Sequence, residues 1–182
     1  MKNNCIDSVF RFTNTQKVLS FLANNIGKEF TGSEIQKAMD ISKAGVYLAL
    51  AELVKCELII KVKKGNLLLF NANYDSPPIK QFKVLLNIVR LKPVLKSLKD
   101  VSVKITLYGS ASRGEDYADS DIDLFIVSKD LALTKEKLSK IKLSRKIQAV
   151  VKTPSEIAEF KDKEKIFFEE VSRGIILWEA KE

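Results

Sequence analysis

The stretch LYGSASRGEDYADSDIDLFIV, Leu107 to Val127, carries two chemical features in a fixed order. Gly109 and Ser110 follow directly on the apolar alternation Val101, Val103, Ile105, Leu107, which has the period of a half-buried strand. Backbone N–H groups and a hydroxyl exposed just after a strand can hold phosphate oxygens. Asp121 and Asp123 open a second predicted strand, 121–127, and their spacing of two puts both carboxylates on one face. Like charges so placed repel unless a cation lies between them, and hard oxygen donors suit Mg²⁺. A metal held there can bridge to nucleotide phosphates.

Working outward, the spacing predicts a helix from Ile79 to about Leu98, bent or restarted at Pro93. A helix is expected over Leu131–Lys146 and a third strand over Ile147–Val151. Thr153-Pro154-Ser155-Glu156 combines an N-cap, a proline at the first helical position and a reciprocal glutamate. The helix it opens runs through Phe167 and Phe168 to Gly174, and Ile175 to Trp178 closes as a strand. The fold class of this part is α/β (α+β). Upstream, Pro77 and Pro78 follow a polar stretch and resist helix and ladder alike, so the domains are set at 1–75 and 76–182.

The first 75 residues read differently. Val18, Leu19 and Leu22 have helical spacing, Thr31 and Glu34 form a T-x-x-E capping box, and Ser42 can cap a third helix. Leu58–Lys63 and Leu67–Asn71 are β-like runs about the turn Lys64-Gly65-Asn66. The order is helix, helix, tight turn, helix, hairpin.

Composition removes several chemistries. The chain of 182 residues contains no histidine, which excludes a Ser-His-Asp triad, a Cys-His pair and histidine-ligated metals. An acid, base or metal ligand must come mainly from the 23 carboxylates. A net charge of +8 attracts nucleic acid, nucleotides or acidic partners. Cys5 and Cys56 are too few for a disulfide framework, and no apolar run is long enough for a bilayer or a signal peptide. A cytoplasmic protein without membrane association is expected.

Gly109-Ser110, Arg113-Gly114 and Ser120-Asp121-Ile122-Asp123-Leu124 together resemble the DNA polymerase beta-like nucleotidyltransferase superfamily, most closely its small single-domain members. The resemblance extends over roughly Val101 to Trp178 and implies a mixed sheet. It implies that Gly109 and Ser110 hold an NTP, ATP being the expected one, and that Asp121 and Asp123 hold Mg²⁺ as the catalytic and metal-binding pair. Arg113 either contacts phosphate or stabilises the turn; Glu115, Asp116 and Asp119 are expected on the solvated lip of that turn. The family's third carboxylate, on the next core strand, falls at Gln148, and no acid occurs from Leu143 to Lys152. A neutral amide is a poor base and brings no charge to a metal. Glu156 and Glu159 are the substitutes within reach along the chain, although a helix surface is their natural place.

Residues from about Gln16 to Tyr74 are similar to the winged helix-turn-helix of small prokaryotic and archaeal transcription regulators, on Phe30–Ile35, Ile41–Val46 and Leu53–Ile59. By that resemblance the helix from Lys43, with Tyr47 outward, enters the major groove, and Lys61, Lys63 and Lys64 of the wing meet phosphates. Arg, Asn and Gln, which pair with base edges, are absent from that helix. DNA binding through backbone contacts, a protein acceptor or partner, and a homodimer all stay open. The two functional expectations are a transferase moving a nucleoside monophosphate to a macromolecular acceptor and a transcriptional regulator whose second domain is a non-catalytic nucleotide sensor or dimerisation module.

Overall fold

The computed structural model describes residues 13–180, so Cys5 and the amino-terminal stretch considered for a leader lie outside the described residues. The chain divides into two compact units, one ending at Ile79 and the other beginning at Lys80.

In the first unit Thr13 opens α1 (Asn14–Asn24) in a reciprocal box with Gln16. Thr31 does the same for α2 (Gly32–Ala38), its N–H donating to Glu34 Oε2 at 2.7 Å. Ser42 Oγ accepts from the Gly45 N–H at 3.2 Å and starts α3 (Lys43–Lys55). Each cap satisfies donors that a helix start leaves without a partner. The helices close on Val18, Leu22, Ile35, Val46, Leu50 and Leu53, all essentially inaccessible to solvent. β2 (Ile59–Lys64) and β3 (Leu67–Ala72) form the hairpin, with Gly65 in the left-handed region at φ +59°. A strand the periodicity did not signal, β1 (Phe30–Thr31), pairs with β3. Two residues are too few to show a period.

Pro77 and Pro78 do not interrupt the chain; they begin α4 (Pro77–Arg90). A first helical turn has no intrahelical acceptors for its N–H groups, so proline loses nothing there. α5 (Lys92–Leu98) restarts with proline in its first turn, as expected. Then follow β4 (Ser102–Tyr108), α6 (Gly109–Arg113), β5 (Ile122–Ser128), α7 (Leu131–Ser139), β6 (Ile147–Lys152), α8 (Glu156–Lys163), α9 (Lys165–Ser172) and β7 (Ile175–Glu179). The glycine turn after β4 is thus one short helix. The helix expected to Lys146 stops at Ser139, and the chain beyond it carries Arg145 into the interior. The helix expected from Thr153 to Gly174 is two helices, broken at Glu164 with φ −119° and ψ 48°.

The sheet of the second unit runs β6-β5-β4-β7; β5 and β6 are parallel and the other pairs antiparallel, so it is mixed. One face buries Ile105, Leu107, Ile122, Leu124 and Ile126 against Leu91, Val94, Leu98 and Ala111. The opposite face sets Tyr108 and Phe125 against Phe160 and Phe167 from α8 and α9, and Val171. Both faces being covered anchors β5 firmly, and Asp123 rides on it.

Candidate nucleotide site

At the end of β4 the chain turns through Gly109, whose φ of +68° is left-handed. A Cβ there would lie 2.5 Å from Asp123 Oδ2, so glycine is required by both backbone and space. Tyr108 stands opposite Asp123 in the antiparallel register, and Asp123 opposite Gln148 in the parallel one. Laterally paired residues share a face, so Tyr108, Asp123 and Gln148 lie on the side of Phe125 and Val150. Asp121, expected to open the strand, lies one residue ahead of β5, which begins at Ile122, and its charge still acts on Asp123. The structure therefore gathers Gly109, Asp121, Asp123 and Gln148 at one end of the sheet.

Electrostatics agree with that crowding. Burial holds the Asp123 carboxyl above the usual carboxylate range, Asp121 and Glu170 push it the same way, and Arg145 opposes them. The Tyr108 phenol is pushed up to about 12 by burial, with Asp123 and Glu170 adding to it. Lys146 Nζ lies 3.6 Å from Asp121 Oδ2.

Arg113 ends α6 with both sides of its guanidinium engaged. Its Nε donates to Glu115 Oε2 at 2.8 Å and its Nη1 to Glu170 Oε1 at 2.9 Å. These acids raise its pKa further. Gly114, at φ +70°, closes the helix, and the Glu115 N–H donates to the Ser110 carbonyl at 2.9 Å. A Cβ on Gly114 would run into the Lys80 backbone. Ser110 sits in the first turn of α6, half-buried beside Gly109.

Asp116 is not on a solvated lip. It is 3% exposed and accepts from Arg145 Nη1 at 2.5 Å and from Asn87 Nδ2 at 3.1 Å. Lys83 pairs with the same carboxylate at 3.5 Å and also donates to the Asp116 carbonyl. Arg145 then reaches along the loop, donating from Nε to the Ser120 carbonyl at 2.7 Å and from Nη2 to the Asp121 carbonyl at 3.0 Å. This network fixes the backbone that delivers Asp121. Sequence reasoning missed it because its members lie at 83, 87, 116 and 145, with no local spacing to join them. Glu115 is half-buried and Asp119 exposed, nearer the expectation for both.

The substitutes for a third carboxylate are otherwise occupied. Glu156 Oε2 accepts from the Thr153 N–H at 2.7 Å in a capping box, and Glu159 pairs with Lys163 at 2.5 Å on an exposed helix face. Among the described residues no group of three or more Asp, Glu, Cys or His is placed to hold a metal. What the site offers is a crowded pair, Asp121 and Asp123. Mg²⁺ is commonly held by one or two carboxylates together with substrate phosphates, and the pair fits that mode.

In the first unit Lys43 is exposed at the start of α3, and Tyr47 is 44% exposed, its ring 2.9 Å from where a Cβ on Gly32 would stand. Register separates the three wing lysines. Lys61 and Lys63 pair with Phe70 and Leu68, whereas Lys64 pairs with Leu67 and projects from the other face. Lys61, Tyr47 and Leu68 line one hollow of about 190 Å³; Lys64 is bound to Glu29 at 2.6 Å. The structure brings Lys61 and Tyr47 together and sets Lys64 apart.

No helix among the described residues is long and apolar enough to cross a membrane. A model of the polymerase beta nucleotidyltransferase family matches residues 90–182. No curated protein and no solved structure matches the chain.

Proposed function

The chain belongs to the polymerase beta nucleotidyltransferase family, and on that premise we propose that its second unit binds an NTP, ATP first among them, together with Mg²⁺. Asp121 and Asp123 would hold the cation, and Gly109, Ser110 and Arg113 would meet the phosphates. The observation that carries this reading is the approach of Gly109 to Asp123, which leaves no room for a side chain between the phosphate loop and the carboxylate. Bound there, Mg²⁺ would neutralise charge on the phosphates during transfer. In that transfer an acceptor hydroxyl oxygen bonds to the α-phosphorus, the bond to pyrophosphate breaks, and the hydroxyl proton passes to a base. Gln148 is no such base, so binding should outlast turnover. Calorimetry with MgATP tests the reading: the wild type should bind, and Asp121→Ala with Asp123→Ala should not. Equal binding by both, or none by the wild type, would remove it.

The first unit we take as a winged helix-turn-helix, bounded near Asp75, that engages DNA through Lys43, Tyr47, Lys61 and Lys63. Its support is the order of elements and the exposed cations on one side of the hairpin. A protein acceptor or a homodimer would use the same module differently. The second reading, a transcriptional regulator with a non-catalytic nucleotide sensor, is favoured by one observation: Gln148 beside Asp123 in the register of β6 and β5.

A further inference from the structure

We propose that Glu170 supplies the third negative charge of the cation site, the one Gln148 does not bring, and that Arg113 holds it aside until a triphosphate arrives. The inference rests on the MgNTP reading above. α9 lies on the sheet face that carries Asp123. Phe167 meets the Tyr108 ring edge-on at 5.3 Å, and Val171 packs in the same cluster. Glu170 is three residues beyond Phe167, which places it beside that ring on the helix surface, at the exposed margin of the cluster. Its charge bears on both Tyr108 and Asp123.

What keeps Glu170 from the pair is Arg113, bound to it at 2.9 Å and to Glu115 at 2.8 Å. Three carboxylates without a cation would repel one another, so the arginine stabilises the empty arrangement. The side chains of Arg113 and Glu170 are about half exposed, 51% and 45%, and an ion pair so wetted is held weakly. A triphosphate offers the planar guanidinium denser charge and two oxygens at once. Once Arg113 turns to it, Glu170 is released to swing toward Asp123 as the cation arrives. One ion pair thereby couples nucleotide arrival to completion of the cation site.

Mn²⁺ titration of the full chain, read by the electron paramagnetic resonance of free Mn²⁺, tests this with and without an ATP analogue whose α–β bridge cannot be cleaved. With the analogue, Glu170→Gln should weaken Mn²⁺ binding by about tenfold or more. Without it the same variant should differ little, because Arg113 already holds the carboxylate. Arg113→Gln should tighten Mn²⁺ binding in the absence of nucleotide, and adding Glu170→Gln should cancel the gain. Thermal melts of each variant establish that it is folded. A Glu170→Gln protein that binds Mn²⁺ like the wild type with the analogue present overturns the proposal, as does an Arg113→Gln protein with no gain. If Asp121→Asn with Asp123→Asn leaves wild-type Mn²⁺ binding untouched, the MgNTP reading itself has failed.

Discussion

Gln148 lies directly across from Asp123 in the parallel register of β6 on β5, both on the sheet face that α9 covers. An acid at that position would stand beside the carboxylate pair; an amide brings neither charge nor basicity. Gln148→Asp should therefore raise pyrophosphate release from MgATP, with cell extract as the source of acceptor, by about 10²-fold or more. Glu156→Gln should leave the wild-type rate alone, since that carboxylate is bound within its capping box with Thr153. Fast wild-type transfer that Gln148→Asp does not improve would show that another group acts as the base.

Asp123 gives the site a pH signature. Its carboxyl is raised in the folded state by burial first and by Asp121 second. A carboxyl raised on folding favours the fold below its unfolded pKa and loses that contribution as pH rises through the folded value. At neutral pH the ionised Asp123 thus weakens the empty protein. Asp123→Asn should raise the melting temperature at neutral pH, and the gain should shrink as pH falls to the ordinary carboxylate range, roughly pH 4. Added Mg²⁺ and ATP should raise the wild-type melting temperature and not that of the variant. A variant that melts below the wild type at neutral pH would contradict the crowding.

Local chemistry made much of this legible. Thr31 with Glu34 and Ser42 cap their helices where the sequence placed them; Thr153 and Glu156 bond each other as expected, but the helix begins at Glu156 and Pro154 lies in the turn ahead of it. The alternation on β5 set Asp123 apart from the buried Ile122 and Leu124 because a strand has a period of two; Asp121 lies just ahead of the strand, where that period does not reach. Length and register were less legible. α7 ends early and Arg145 turns inward because its partner, Asp116, is 29 residues away in sequence and a network between them has no period. The partnership of Arg113 with Glu170 spans 57 residues and has no local signal either, whereas Glu156 and Glu159 stand close to Gln148 along the chain. The wing lysines read as one cluster along the chain, yet the pleat divides them.

The Asp116 network sets a stability test. Arg145 and Asp116 expose only 6% and 4% of their side chains, and Lys83 is buried beside them. Burial lowers the Lys83 ammonium pKa, and Asp116 works against that shift. Asp116→Asn would leave two buried cations without their counter-charge, a change that costs about 3–5 kcal/mol when one partner of a buried pair is lost. Denaturant unfolding should register that loss. Arg145→Lys keeps the charge but not the planar fork that reaches the Ser120 and Asp121 carbonyls. It should weaken MgATP binding more than its loss of stability alone explains. Normal nucleotide affinity in a folded Arg145→Lys protein would confine the network to a structural role.

The hairpin supplies the last test, on DNA. Lys61 and Lys63 share a face with Phe70 and Leu68, and Lys61 lines a hollow with Tyr47 of α3. Lys64 leaves the opposite face and pairs with Glu29 at 2.6 Å. If the lysines beside α3 meet phosphates, each one removed should lower the dependence of log affinity on log salt by about one unit. Lys61→Ala and Lys63→Ala should do so additively, in anisotropy titrations of a promoter fragment over a range of salt. Lys64→Ala should leave the slope nearly as it was, since Lys64 projects from the face of the hairpin opposite Lys61 and Lys63. An equal drop for all three lysines would mean that DNA runs across the tip of the hairpin and ignores the division between its faces. Binding with no salt dependence at all would remove DNA from the reading of this unit.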